Sequence, residues 1–179
     1  MNKLNNDIKL YNLIFPTFML FVFVPILWQI SLVGNFIIDS VVLIIISLII
    51  YHKLNWKFYI KSIFFVYIFG FFSDIIGVFY LIATAFLTDA EYYEGNDLVQ
   101  QILSGIYMAT NHSQFDSFWS FAFITSGIII SMVMIFGLNY LFSFIFTDLT
   151  KKQKLLSALS FAIFTAPYAF LLPNELFCG

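Results

Sequence analysis

Residues 41–50 read Val41-Val-Leu-Ile-Ile-Ile-Ser-Leu-Ile-Ile50, ten positions with a single hydroxyl among them. A membrane barrel strand would alternate apolar and polar side chains, and a helix on a soluble core would keep a polar stripe. Uniform apolarity with β-branched side chains on every face fits neither. It fits a helix surrounded by hydrocarbon. A bilayer core about 30 Å thick takes roughly 20 helical residues, and the run extends to residues 35–51 before polar positions close it. Working outward, residues 11–32, 60–87, 118–146 and 155–177 repeat the pattern. The sequence therefore predicts an all-α membrane protein, a five-helix polytopic transmembrane bundle. It forms a single integral membrane domain over residues 1–179, with an acidic outer loop at 88–117.

Composition points the same way. Of 179 residues, 61% are apolar, 21% aromatic and 10% charged, with 25 Phe. So little polar surface cannot cover a water-soluble globule. One cysteine, Cys178, excludes a disulfide scaffold, and a net charge of −2 excludes a basic nucleic-acid binder. Residues 11–32 are too long an apolar run, with Pro16 and Pro25 inside it, to read as a cleavable signal. The absence of arginine beside abundant Ile, Phe, Asn and Lys suggests an AT-rich bacterial genome, and hence a bacterial cytoplasmic membrane as the location.

Lysine placement sets the expected orientation. Lys3 and Lys9 precede the first stretch, Lys53, Lys57 and Lys61 lie around the second connection, and Lys151, Lys152 and Lys154 precede the last stretch. The 88–117 loop carries Asp89, Glu91, Glu94, Asp97 and Asp116 and no basic residue. The positive-inside rule then places the amino terminus in the cytoplasm and the acidic loop outside. An odd number of spans puts the carboxy terminus outside. Trp28 and Trp119 fall near the outer interface and Trp56 near the inner one, as an aromatic belt requires.

Connections are short. Val33 and Gly34 are expected to form a tight hairpin turn, with Gly34 absorbing the reversal. Residues 52–59 make a second, basic turn. Within the outer loop, Asn96 is placed to cap a helix in which Leu98, Ile102, Leu103, Ile106 and Tyr107 share a face, suited to lying on the membrane or across the bundle mouth. No calcium-loop spacing occurs there, and no metal or cofactor is expected.

Two residues are costly where they stand. An aspartate at a membrane-helix centre costs about 2.5–3.5 kcal/mol on insertion scales, and Asp39 and Asp74 both lie deep in apolar stretches. Counted from the lysine side, they sit about 18 and 21 Å deep at 1.5 Å per residue. That makes them nearly level. Gly70, Ser73 and Gly77 share the side of the helix that bears Asp74, a small-residue stripe that lets a neighbouring backbone approach. Ala158, Ala162, Ala166 and Ala169 give the last stretch a matching small face. Pro25 and Pro167 cannot donate to the carbonyls of Phe21 and Ile163, and so mark kinks. Asn35, Gln29, Thr165 and Tyr168 are candidates to join the aspartates in a binding or coupling site.

Three functions fit such a cluster. Two close carboxylates ionise together only at a cost, so a proton, cation or cationic solute can serve as the exchangeable occupant of a transport or permeation component. Alternatively the aspartates are hydrogen-bonded struts in a non-catalytic accessory or assembly subunit. The third function is intramembrane aspartyl proteolysis, but its Gly-x-Gly-Asp motif is absent, residues 71–74 reading Phe-Phe-Ser-Asp. Nor does the sequence offer another catalytic group: His52 and His112 lie in separate loops, and Ser126-Gly127 lacks the glycine of a Gly-x-Ser-Gly motif. Transport is the favoured reading and catalysis is not expected. The expected partners are the lipid bilayer and either further copies of the chain or a partner membrane protein.

Overall fold

The computed structural model describes residues 25–88 and 97–172. Five α-helices follow in order: α1 (Pro25–Tyr51), α2 (Trp56–Leu87), α3 (Leu98–Asn111), α4 (Phe118–Leu138) and α5 (Lys151–Phe164). A π-helical segment, Asn139–Ser143, prolongs α4, and a 3₁₀ turn, Tyr168–Leu171, follows α5. Among the described residues, four segments are long and apolar enough to cross a membrane: Gln29–Tyr51, Trp56–Leu87, Phe118–Ser143 and Lys151–Leu171.

The expected hairpin at Val33 and Gly34 is not formed. One helix runs unbroken from Pro25 to Tyr51. A lone glycine costs a helix only about 1 kcal/mol, whereas a two-residue reversal at membrane depth would leave backbone donors and acceptors with neither water nor partners. Expected spans 11–32 and 35–51 therefore merge over their described part, and the remainder of the first, residues 11–24, lies outside the described residues. Among the described residues, four apolar helices stand where the sequence suggested five spans, and residue 25 sits at the acidic end. The residues that would place the amino terminus, Lys3 and Lys9 among them, are likewise outside the described set.

The helix ends follow from capping chemistry. Ser47, buried in α1, accepts from the Asn55 amide at 2.9 Å and reaches back to the Lys53 carbonyl at 3.4 Å, closing a tight turn with His52 at φ 53°. Asn55 then caps α2 through the Phe58 amide, 3.2 Å away, so α2 starts four residues before the expected Ile60. Thr150 and Gln153 make a reciprocal capping box that starts α5 at Lys151, ahead of the expected Leu155. The helix of the outer loop is present as α3, but Asp97 caps it, donated to by the Leu98 amide at 2.9 Å; Asn96 lies outside the described residues.

Packing is inverted relative to a soluble protein. Large side chains such as Phe79, Phe64, Ile49 and Val133 face outward, while Ser73, Gly77, Ser120, Ser131 and Ala158 are buried. Hydrocarbon exerts no pull on Phe or Leu toward the interior, so helices associate through small residues whose backbones can approach closely. The α2–α4 contact illustrates this. A Cβ at Gly77 would collide with the Ser131 hydroxyl and lie 2.8 Å from the Gly127 carbonyl, and one at Gly127 would lie 2.6 Å from Cγ of Leu81.

The interior contains two apolar clusters. One, at the lysine end, gathers Leu43, Val66, Ile135, Phe144, Ala158 and Phe161. The other, at the acidic end, gathers Leu81, Ile106, Ile124, Ile128, Ala166 and Phe170, with α3 supplying Ile106 and Ala109 as a cover over α4. Gly105 lets α3 settle onto the start of α4, where a Cβ would lie 2.8 Å from the Trp119 carbonyl carbon. The two basic turns meet at one end of the bundle, the Lys61 ammonium donating to the Phe146 carbonyl at 3.2 Å.

Candidate functional site

Between the apolar clusters lies a polar seam where α1, α2 and the end of α5 meet. In α1, Asn35 and Asp39 are one helical turn apart on the inward side, and Asp39 is 2% exposed. The antiparallel register pairs Asn35 with Asp74 and Asp39 with Gly70. Asn35 Nδ2 donates to Asp74 Oδ2 at 3.0 Å, and a Cβ on Gly70 would lie 3.5 Å from Asp39 Oδ2. Gly70 is thus the notch that admits the Asp39 carboxyl. The register offsets the two carboxyls by one turn, about 6 Å along the helices, where a nearly level pair was expected. Each lies within electrostatic reach of the other.

The third wall is the break after α5. Pro167 ends regular hydrogen bonding, and the helix stops at Phe164 with Thr165 as its C-cap. The Thr165 hydroxyl donates to the Phe161 carbonyl at 2.9 Å and stands within hydrogen-bond reach of Asp39. The phenol of Tyr67 is close enough to Asp39 to feel its charge. Oxygen predominates here: two carboxyls, a threonine hydroxyl, and the carbonyl-bearing, partially negative C-terminus of α5. Asp74 Oδ1 is buried without a hydrogen-bond partner among the described residues. The six described lysines are all at the far end of the bundle.

The other expected members fall elsewhere. Tyr168 turns outward, half exposed, and its hydroxyl donates at 2.6 Å to the Ile163 carbonyl, the same group that Pro167 cannot serve. It repairs the kink and does not reach the aspartates. Gln29 is exposed at the acidic end of α1, about two turns beyond Asn35. Pro25 is the first described residue, so its kink, which would free Phe21, lies outside the described residues. Gly70, Ser73 and Gly77 are all buried as a packing stripe, with Ser73 bonded to the Phe69 carbonyl at 2.6 Å.

Two acids of the 88–117 connection have local work: Asp97 caps α3, and Asp116 accepts from the Ser113 amide at 3.1 Å. Among the described residues, no three His, Cys, Asp or Glu side chains are grouped to hold a metal ion.

Sequence reasoning passed over Asn139. It is fully buried at the start of the π-helical segment, its Nδ2 donating to the Ile135 carbonyl at 2.8 Å and its Oδ1 accepting from Ser143 at 2.6 Å. A carboxamide at membrane depth is itself a signal, and the widened turn that often marks functional helices begins there. No family model, curated protein or solved structure matches this chain.

Proposed function

We propose that the protein is a small multi-pass transport or permeation component in which Asp39 and Asp74 bind a proton or small cation inside the bundle. The observation that carries this reading is the unpartnered, buried Oδ1 of Asp74 in a seam of acceptors. A buried acceptor without a donor is costly, and a carboxyl with no nearby lysine to neutralise it calls for a cationic occupant.

The hydrogen-bond chemistry of Thr165 suits a proton. Its hydroxyl donates to the Phe161 carbonyl, which leaves its lone pairs to accept from a protonated Asp39. A proton on Asp39 completes a chain from Asp39 through Thr165 to the Phe161 carbonyl. When that proton leaves, the hydroxyl can turn from the Phe161 carbonyl toward the carboxylate, while the Thr165 amide keeps its own bond to that carbonyl. The site thus borders a helix break, as ion sites in discontinuous membrane helices do.

A second reading, that of an accessory subunit, is favoured by the Asn35–Asp74 bond, which ties α1 to α2 as a strut would. Reconstituted vesicles separate the two. Asp74→Asn should abolish a proton or cation flux while the protein stays folded and monodisperse. A variant that keeps the flux would defeat the transport reading, and one that dissociates from a co-purifying partner would favour the strut.

A further inference from the structure

The face shared by α1 and α5 carries a long furrow unrelated to the aspartates. Its upper part, about 540 Å3, is lined by Ile38, Val41, Ile45 and Ile49 of α1 with Ser160 and Phe164 of α5. Its lower part, about 410 Å3, continues past Ile50, Leu156 and Ser157 to Gln153 in the first turn of α5. The two share Ile46, Ile49 and Ser160, so they form one continuous channel along the bundle side. It exists because α5 sets the small Ser157 and Ser160 between Leu156 and Phe164, opposite a wall of isoleucine. Ser160 is internally satisfied, donating to the Leu156 carbonyl at 2.9 Å, which leaves the floor effectively apolar.

Length and charge identify what would fill it. From Ile37 to Ile50 the furrow runs thirteen residues, about 20 Å, comparable to the roughly 15 Å hydrocarbon depth of one leaflet. It opens sideways to hydrocarbon and ends at the basic rim of the molecule. There Lys151 and Lys152 are exposed and Lys154 half-buried, all in the first turn of α5, whose amide-bearing N-terminus also favours an anion. Lys53 projects from the turn that follows α1. Asp148 is the one described carboxylate near this rim, within electrostatic reach of Tyr51, and four lysines outweigh it.

We infer that this furrow is a binding site for one anionic phospholipid of the lysine-side leaflet, its acyl chain lying between α1 and α5 and its phosphate held at the first turn of α5. Basic rims joined to interhelical grooves suit anionic headgroups, and each lysine near the surface contributes about fivefold in affinity.

Native mass spectrometry of the full chain in mild detergent, titrated with phosphatidylglycerol or phosphatidylcholine, tests this. Wild type should retain one phosphatidylglycerol per chain in preference to phosphatidylcholine. Lys151→Gln, Lys152→Gln and Lys154→Gln together should lower that preference by roughly tenfold or more. Ser160→Leu, which fills the furrow and leaves the lysines untouched, should lower retention of both lipids. Equal retention of the two lipids by wild type would overturn the assignment. So would a triple variant that keeps the preference, or Ser160→Leu binding as wild type does. A lipid-free wild-type chain, its furrow taken by residues before Pro25, or a lipid-free dimer would do the same.

Discussion

Gly77→Ala and Gly34→Ala make the same chemical change in two apolar helices and should have opposite effects. An alanine in a helix interior is intrinsically better than glycine by about 1 kcal/mol. Gly34 has open space where its Cβ would go, so that gain should appear in full. At Gly77 the new methyl meets the Ser131 hydroxyl and lies 2.8 Å from the Gly127 carbonyl, which is backbone and cannot rotate away. Ordinary contact begins near 3.4 Å, so α2 and α4 must part by more than half an ångström along a seam held by close approach. Overpacking of this kind costs about 1–3 kcal/mol, which cancels or reverses the intrinsic gain. Each kcal/mol moves Tm by about 2–4 °C in a chain of this size. The two variants should therefore separate by about 2–12 °C in a detergent thermal-unfolding assay, with Gly34→Ala above wild type. Adding Ser131→Gly to Gly77→Ala should recover part of the loss by removing the hydroxyl. If Gly77→Ala proves as stable as Gly34→Ala, the α2–α4 packing described above is wrong.

Two other outcomes follow from local chemistry. Tyr168→Phe strips the donor from the Ile163 carbonyl at the Pro167 break, a loss of about 1 kcal/mol, and should lower Tm by a few degrees while leaving any flux intact; loss of flux with unchanged stability would put Tyr168 back in the binding site. His52→Gly relieves a left-handed backbone that costs a side-chain-bearing residue about 1 kcal/mol or more and should raise Tm slightly, and a fall in Tm would mean that the imidazole itself holds the turn.

Much of this molecule was legible in its residues. Apolar length identified the membrane-crossing helices, because lipid leaves no cheaper way to satisfy a backbone. The stripe of Gly70, Ser73 and Gly77 is buried in α2. The hairpin at Gly34 misled because glycine permits a turn without requiring one, and Val33-Gly34 supplied no further turn residue. The ends of α2 and α5 were set by Asn55 and the Thr150–Gln153 box, polar positions that hydropathy alone discounts. At the site, the pairing of Asn35 with Asp74 depended on helix rotation, which a nearly uniform apolar run does not encode. Tyr168 does not join the aspartates because the carbonyl freed by proline needs a donor, and the Tyr168 hydroxyl reaches it at 2.6 Å. Asn139 was passed over, although it is the only carboxamide between residues 118 and 146.

Labelling with dicyclohexylcarbodiimide, which partitions into lipid and reacts with carboxyl groups in their protonated form, bears most directly on the proton or cation site. In the reconstituted protein, peptide mapping should find the adduct on Asp39 or Asp74, with labelling suppressed by Asp74→Asn or by an excess of the competing cation. An adduct confined to Asp97, Asp116 or Asp148 would show that the buried pair holds no exchangeable proton.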